Sequence, residues 1–413
     1  MATTQAAAPP PAAGKPGLGK VLLRRGAIAV ALILLLLVPA FALMAATGQP
    51  AATYTALATI IGVVAVLGGG LRIGTITAVV VALLAPLAIV AGLTPITGAA
   101  LMAIMTLTVG RLSTFGLHRA TMLVPILMAW PMLAPVPWLP HDRIDELNTL
   151  LAKHGTSLAD ALTTMQGRQS TSTGQGSASG DAMSRMLVEL RMDSTYLTWL
   201  VLFFFIGAII PVLIGWLMRH KMHAPALTPH TRRETVPYTV TITVLAAGAT
   251  YYFLNNPKLP GGAFFIAVIL VLAQVGNDIA WRLTIERVIG TFVGVALFVA
   301  INAWVGTTTF TEVFGLPFPL GIYLIGVLFG AAAIMAKFGP RQWIYYALIV
   351  PTTAYLNAFT VGEAAGLGKA RLIDNLVGAA LVILAALITL GASRIYARRF
   401  PADPNAPISA SPA

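Results

Sequence analysis

The sequence predicts an all-α polytopic membrane protein with about 12 transmembrane helices, arranged as two parallel six-helix halves. Three observations carry that prediction. First, 57% of the 413 residues are hydrophobic and only 10% charged, where soluble domains carry about 25% charged residues. Second, the apolar residues recur in runs near the roughly 20 needed to cross a bilayer as a helix. Third, the basic residues between those runs fall on alternate connections. Twelve spans would use roughly 240 positions, which leaves no room for a large soluble domain. The chain has no cysteine, so disulfides, thiolate chemistry and cysteine metal sites are excluded.

Residues 1–24 open with an Ala-, Pro- and Gly-rich stretch and read as a disordered cytoplasmic tail. The first half, 25–218, is predicted to hold helices at 26–47, 51–69, 73–92, 95–110, 119–138 and 196–218. The second half, 237–395, is predicted to hold them at 261–276, 288–305, 316–336, 342–359 and 374–393, after a first one at 237–254. A cytoplasmic linker, 219–236, joins the halves, and 396–413 forms a cytoplasmic tail. The first run follows Arg24-Arg25 and has Ala40-Phe41-Ala42 near its end, the outline of a cleaved signal. It is longer than the apolar region of a signal, which favours a true first span. Between spans five and six, the 139–195 loop begins amphipathically with Ile144, Leu147, Leu151, Leu158 and Leu162. It then runs through Gly167 to Gly180 in Gly, Ser, Thr and Gln. It reads as an extracytoplasmic solvated linker in preference to a ligand-binding lid.

The alternation of basic residues fixes the orientation. One side collects Lys15, Lys20, Arg24, Arg25, Arg72, Arg111, Arg119, Arg219, Lys221, Arg232, Arg233, Arg282, Arg287, Lys337, Arg341, Arg394, Arg398 and Arg399. The other has Lys258, Lys369 and Arg371, plus five in the 139–195 loop, and charges in long loops weigh little in orientation. Both termini are therefore expected in the cytoplasm. The net charge of +12 is then a positive-inside signature, and nucleic acid is not an expected partner.

Two faint internal matches support a duplication. Arg72-Ile73-Gly74-Thr75 echoes Arg287 with Val288-Ile289-Gly290-Thr291, and Val124-Pro125 echoes Val350-Pro351 at a different offset. An even number of spans per half relates the halves by an axis along the membrane normal. Proline within a span removes a backbone hydrogen bond that hydrocarbon cannot replace. Pro125 and Pro351, at corresponding places, are thus candidates for a central pathway, against the plainer reading of ordinary kinks.

The densest polar constellation is Gln274, Asn277, Asp278, Arg282, Glu286 and Arg287. Asp278, Arg282 and Glu286 are spaced i, i+4, i+8 and share a helical face. Gly290, Thr291 and Gly294 follow in a small-residue pattern that permits close helix contact. One reading is a salt-bridged cytoplasmic turn. The other is a carboxylate that exchanges protons beside an arginine that attracts an anion. Arg371 and Asp374 at the outer end of span twelve read equally as a headgroup anchor or an anion gate. Tyr355 and Asn357 could bond a substrate or a neighbouring helix. His220, His223 and His230 lack a ligand framework for a metal, and Gly362 to Lys369 departs from a P-loop in spacing and in Ala370. No cofactor or metal is expected.

The stretch from Pro260 to Ala300, above all Trp281-Arg282, Arg287-Val288-Ile289-Gly290-Thr291 and Gly294, resembles the fusaric acid resistance and aromatic acid exporter family. The segment Ala370-Arg371-Leu372-Ile373-Asp374-Asn375-Leu376-Val377-Gly378 is similar to that family's last helix, where an Arg, Asp and Gly recur at this spacing. The matches lie within about 237–393; the first half matches loosely. The resemblance implies a permease of the inner or plasma membrane that exports aromatic carboxylates or related organic anions, driven by the proton gradient. Arg282, Arg287, Gly290, Arg371 and Asp374 are the residues it points to. One departure is that family members carry a sizeable cytoplasmic domain after each half, whereas here only 219–236 joins the halves. The implied partners are a small organic anion, protons and the lipid bilayer, with a homo-oligomer or an envelope adaptor as further candidates. Two other readings remain: a passive organic-anion channel, as among plant malate-channel relatives, and a membrane-embedded envelope-assembly enzyme. The enzyme would need a cation site, for which Asp142, Asp145 and Glu146 are the only compact acidic group.

Overall fold

A straight helix of 38 residues would be about 57 Å long, nearly twice the hydrocarbon thickness of a bilayer. In the computed structural model, the helix α2 (Tyr54–Ala91) has that many residues and is broken at Gly70, with φ 81° and ψ 178°. That conformation is open essentially to glycine alone. The break folds the chain back: a Cβ built on Gly74 would lie 3.6 Å from the Cα of Val66, whereas residues eight apart in a straight helix are about 12 Å apart. The two limbs, 54–69 and 71–91, correspond to the second and third predicted spans. We expect Gly70→Val to cost about 1–3 kcal/mol of stability, read as a lower temperature at which the detergent-solubilised protein loses its monodisperse peak. Gly70→Ala should show a smaller loss of the same sign.

The structure describes residues 18–133, 192–221, 229–256, 262–272, 277–305, 311–313, 316–318, 320–337 and 341–356, with positions 135, 149, 227, 377, 380, 381 and 384. Around α2 the described chain runs α1 (Leu18–Thr47), α3 (Pro95–Ser113), α4 (His118–Thr121), α5 (Leu123–Leu133), α6 (Ser194–Leu217), α7 (Arg232–Asn255) and α8 (Gly262–Leu272). It continues through α9 (Asn277–Val305), the strands β1 (Thr311–Val313) and β2 (Leu316–Phe318), α10 (Leu320–Lys337) and α11 (Gln342–Leu356). Among the described residues, four stretches of helix are long and apolar enough to cross a membrane: Gly26–Thr47, Ala51–Ala91, Pro95–Ser113 and Ser194–Leu217.

Local chemistry starts these helices. Pro95 opens α3 behind Thr94, whose hydroxyl accepts the Thr97 N–H at 3.3 Å. Asp193 caps α6 by accepting the Thr195 N–H at 2.8 Å. In α7 the Glu234 carboxylate accepts the Thr231 N–H at 3.1 Å, closing a capping box. The second limb of α2 then reverses the usual soluble pattern. Its large side chains Ile76, Val79, Val80, Leu83 and Leu87 are exposed, while Ala78, Ala82, Ala85 and Ala88 are buried together with Val81 and Ile89. A buried face made mainly of alanine beside exposed large apolar residues suits close helix packing inside an apolar surrounding.

The core is assembled between α2 and α6, between α3 and α7, and between α5 and α8. Buried Tyr54, Ile61, Met102, Met128, Tyr196, Phe203, Phe204, Ile242 and Ile266 belong to one cluster. Positions 377, 380, 381 and 384, in the twelfth predicted span, are helical, and Leu381 packs on that cluster. Helices α9, α10 and α11 form a second packed group. At the end of α6, the Arg219 guanidinium lies 5.3 Å over the exposed Trp216 ring, the amphipathic pairing that favours a membrane–water boundary.

The structure departs from the sequence expectations in six places. Helix α1 begins at Leu18, so the end of the predicted 1–24 tail is helical. The predicted 119–138 helix is interrupted at Met122 between α4 and α5. Helix α7 begins at Arg232, so the end of the predicted 219–236 linker is helical. Asn277 to Arg287, placed between the eighth and ninth predicted spans, is the first part of α9. The predicted 316–336 helix begins at Leu320, because Leu316–Phe318 pairs antiparallel with Thr311–Val313; Pro317 and Pro319 hold their preceding residues extended. Finally, Gly74 seats against Val66 and Val212 whereas Gly290 seats against α11, so the two echoed glycines have different neighbours. The 139–195 loop lies almost wholly outside the described residues.

Candidate functional site

Helix α9 presents Glu286, Gly290 and Gly294 at successive i, i+4 positions, a row that forms one ridge of a helix surface. All three meet α11. The Gln342 N–H, at the first turn of α11, donates to Glu286 Oε2 at 3.0 Å. A carboxylate there satisfies a donor that the helix leaves open and faces the positive end of its dipole. Beyond it, a Cβ on Gly290 would overlap the Trp343 carbonyl and stand 2.6 Å from Tyr346 Cβ. On Gly294 it would stand 2.6 Å from the Ala347 carbonyl oxygen and 2.9 Å from Val350 Cβ. The helices thus approach backbone to backbone, with Thr291 and Phe298 buried beside the contact.

Pro351 explains why the Ala347 carbonyl is part of this seam. Four residues after Ala347, proline has no N–H to give it. The backbone acceptor lies instead against Gly294, where the missing side chain leaves room for it. Pro351 and Thr352 are buried, and the Thr352 hydroxyl donates to the Leu348 carbonyl at 2.8 Å. On its other side, a Cβ on Gly330 of α10 would lie 3.1 Å from Thr352 Cγ2. A helix carrying a proline-freed carbonyl between two glycine-bearing neighbours can tilt at that point with little side-chain rearrangement.

The predicted site residues distribute unevenly over this geometry. Glu286 and Gly290 meet α11 at the seam, Thr291 is buried next to Gly290 on α9, and Pro351 follows Val350, against which Gly294 is set. Asp278, Arg282 and Arg287 lie on α9, and Tyr355 on the last turn of α11, with side chains outside the described residues. Asn357, Arg371 and Asp374 fall outside them altogether. Pro125 is not Pro351's counterpart in helical context: it is buried, but as the third residue of α5, where a missing N–H costs little. Two participants were not singled out from the sequence, Gln342 and the Ala347 carbonyl. The second was legible in principle, since a mid-helix proline names the carbonyl four residues earlier.

Comparison of the chain with protein-family models, with curated proteins and with solved structures gives no match. The fold and seam define a helical protein that has, among the described residues, four helices long and apolar enough to cross a membrane, and a tight, partly polar contact between two of its other helices.

Proposed function

We propose that the protein is a secondary transporter of the inner or plasma membrane that exports aromatic carboxylates or related organic anions, coupled to protons. In this reading twelve spans form two six-helix halves with both termini cytoplasmic. The observation that carries it is the α9–α11 seam. Gly290, Thr291 and Gly294, which belong to the exporter-like stretch, lie there beside a carboxylate and a proline-freed carbonyl. The alternation of helix ends gives further support. Ser113 and His230 meet at one end of the bundle, joined by an N–H···O=C bond of 3.3 Å, and Gly92 meets the Met132 carbonyl between connections predicted on the opposite side.

The chemistry would run along α9. Arg282 and Arg287 attract the carboxylate at the cytoplasmic mouth, and α9 and α11 tilt against each other at Gly294 and Pro351. Glu286 holds α11 through the Gln342 N–H in one arrangement and releases it in the other. The test is flux of an aromatic-carboxylate panel in proteoliposomes, with and without an imposed pH gradient. We expect saturable, gradient-dependent flux that falls roughly tenfold or more in Arg287→Ala and also falls in Asp374→Asn. Flux indifferent to the gradient would make the protein a channel, and no flux of any panel member would overturn the assignment.

A further inference from the structure

We propose that His118 and His230 form a pH-sensitive latch, closed when both rings are neutral and opened by acid, between the α3–α4 turn and the start of α7. The latch itself does not depend on the transporter reading; only its consequence for gating does.

The two imidazoles come from segments more than a hundred residues apart and meet edge to face, with centroids 4.9 Å apart and planes at 68°. His230 is held on three sides. Its backbone N–H donates to the Ser113 carbonyl at 3.3 Å, its ring rests on His118, and its Nδ1 lies 3.6 Å from Glu234 Oε2. That same oxygen accepts the Thr231 N–H at 3.1 Å, so the capping box fixes the carboxylate before the histidine uses it. His230 Nε2 is enclosed and has no hydrogen-bond partner among the described residues.

This arrangement suits neutral rings. Edge-to-face packing of neutral aromatics is favourable, and Nδ1–H can face Glu234 while Nε2 carries no proton. Histidine changes charge within the range of cellular pH, and the charged ring carries a hydrogen on both nitrogens. A proton on His230 would therefore place a donor at the enclosed Nε2. A second, on His118, would set two like charges ring against ring. The surrounding elements add positive charge. Arg111 lies on α3, Arg119 on α4, Arg232 and Arg233 on α7, and Arg72 on the α2 limb whose turn packs on α4 through Gly68 and Ala120. Glu234 is the only acid these helices carry. The nearby Tyr238 hydroxyl points at the Met122 sulfur, 3.9 Å away. Protonation strengthens the His230–Glu234 pair, but that pair lies at the start of α7 and does not reach α4. Acid thus weakens the ring contact that crosses to His118, and α4 is free to part from α7. In the transporter reading, this contact ties the cytoplasmic end of the first half to the start of the second.

The absence of cysteine permits a direct measurement. Nitroxide labels on Phe115→Cys, in the α3–α4 turn, and Arg232→Cys, in α7, report the separation by pulsed electron paramagnetic resonance in lipid, with no transport required. From pH 8 to pH 5.5 the mean distance should lengthen by about 2 Å or more, the scale of helix shifts in switching proteins. With His118→Gln and His230→Gln together it should keep its pH 8 value throughout. A constant distance with the native histidines overturns the latch, and so does equal lengthening in the glutamine background. His118→Gln alone, which leaves the Glu234 contact intact, should already blunt the change; full lengthening in it also overturns the proposal. A pH-dependent distance in a protein without anion flux would retain the latch while removing the transporter assignment.

Discussion

Gly290→Val is expected to separate α9 from α11, lowering stability and removing most of any flux the protein supports. The atoms a side chain would meet at position 290 are the Trp343 carbonyl, Tyr346 Cβ and the Ala347 amide nitrogen. None is the end of a flexible side chain, so the helices themselves must move. Overpacking of a formed contact costs about 1–3 kcal/mol, and here the displacement also lengthens the bond from the Gln342 N–H to Glu286. Losing that bond uncaps α11, for about 0.5–2 kcal/mol more. Gly290→Ala should show the same direction with a smaller size, because one methyl still meets the Trp343 carbonyl. Glu286→Ala separates the two contributions, since it removes the acceptor at the cap and leaves the glycine contact untouched. The measurement is the fraction of monodisperse protein after heating, alongside proteoliposome flux. A Gly290→Val protein as heat-stable as its parent would mean that α9 and α11 do not pack at this point.

The features that local sequence determines were legible in it, and those set by contact between distant segments were not. The second and third predicted spans are the two limbs of α2, because sustained apolar runs and a Gly-rich interruption are local signals. Gly70 is one of three consecutive glycines, Gly68 to Gly70, and the sequence does not say which of them takes the positive φ. Prolines misled in one place and informed in another. At 317 and 319 they displace the start of α10 to Leu320, a local effect that apolar run-length obscured. At 351 proline was rightly singled out as a backbone break, but that the freed Ala347 carbonyl faces Gly294 depends on how α9 packs, 53 positions away in the chain. The candidate site shows the same division. The helical spacing that puts Glu286, Gly290 and Gly294 in one row is readable from residue numbers. That Glu286 caps another helix, in place of closing a turn with its neighbours, is not. His230 was noticed only as part of a basic loop, since its partner His118 lies in the other half of the chain.

Gly207→Val is expected to be the more damaging change to the folded state, because it strikes the contact on which the main core is built. Helices α2 and α6 cross with glycines set against each other's backbones. A Cβ on Gly62 would stand 2.5 Å from the Ala208 carbonyl oxygen, and one on Gly207 would overlap the Thr55 carbonyl and lie 2.7 Å from Ala58 Cβ. Around this crossing, Tyr54, Tyr196, Phe203 and Phe204 are fully buried, with the Tyr54 and Phe204 rings 5.4 Å apart. Prising the backbones apart therefore opens the aromatic packing too, and losses from large buried side chains run to several kcal/mol. Where association depends on close packing between helices in lipid, no compensating hydrophobic gain is available, because lipid is as apolar as the interface it replaces. Gly207→Val should thus yield little folded protein after extraction, and Gly62→Val should behave alike. The double variant should be less than additive, since both substitutions act on one interface. Full additivity, or a Gly207→Val protein extracted at parental yield and heat stability, would show that α2 and α6 do not cross at these glycines. The comparison with Gly70→Val is diagnostic as well: that change strains a single residue, and its loss should be the smaller of the two.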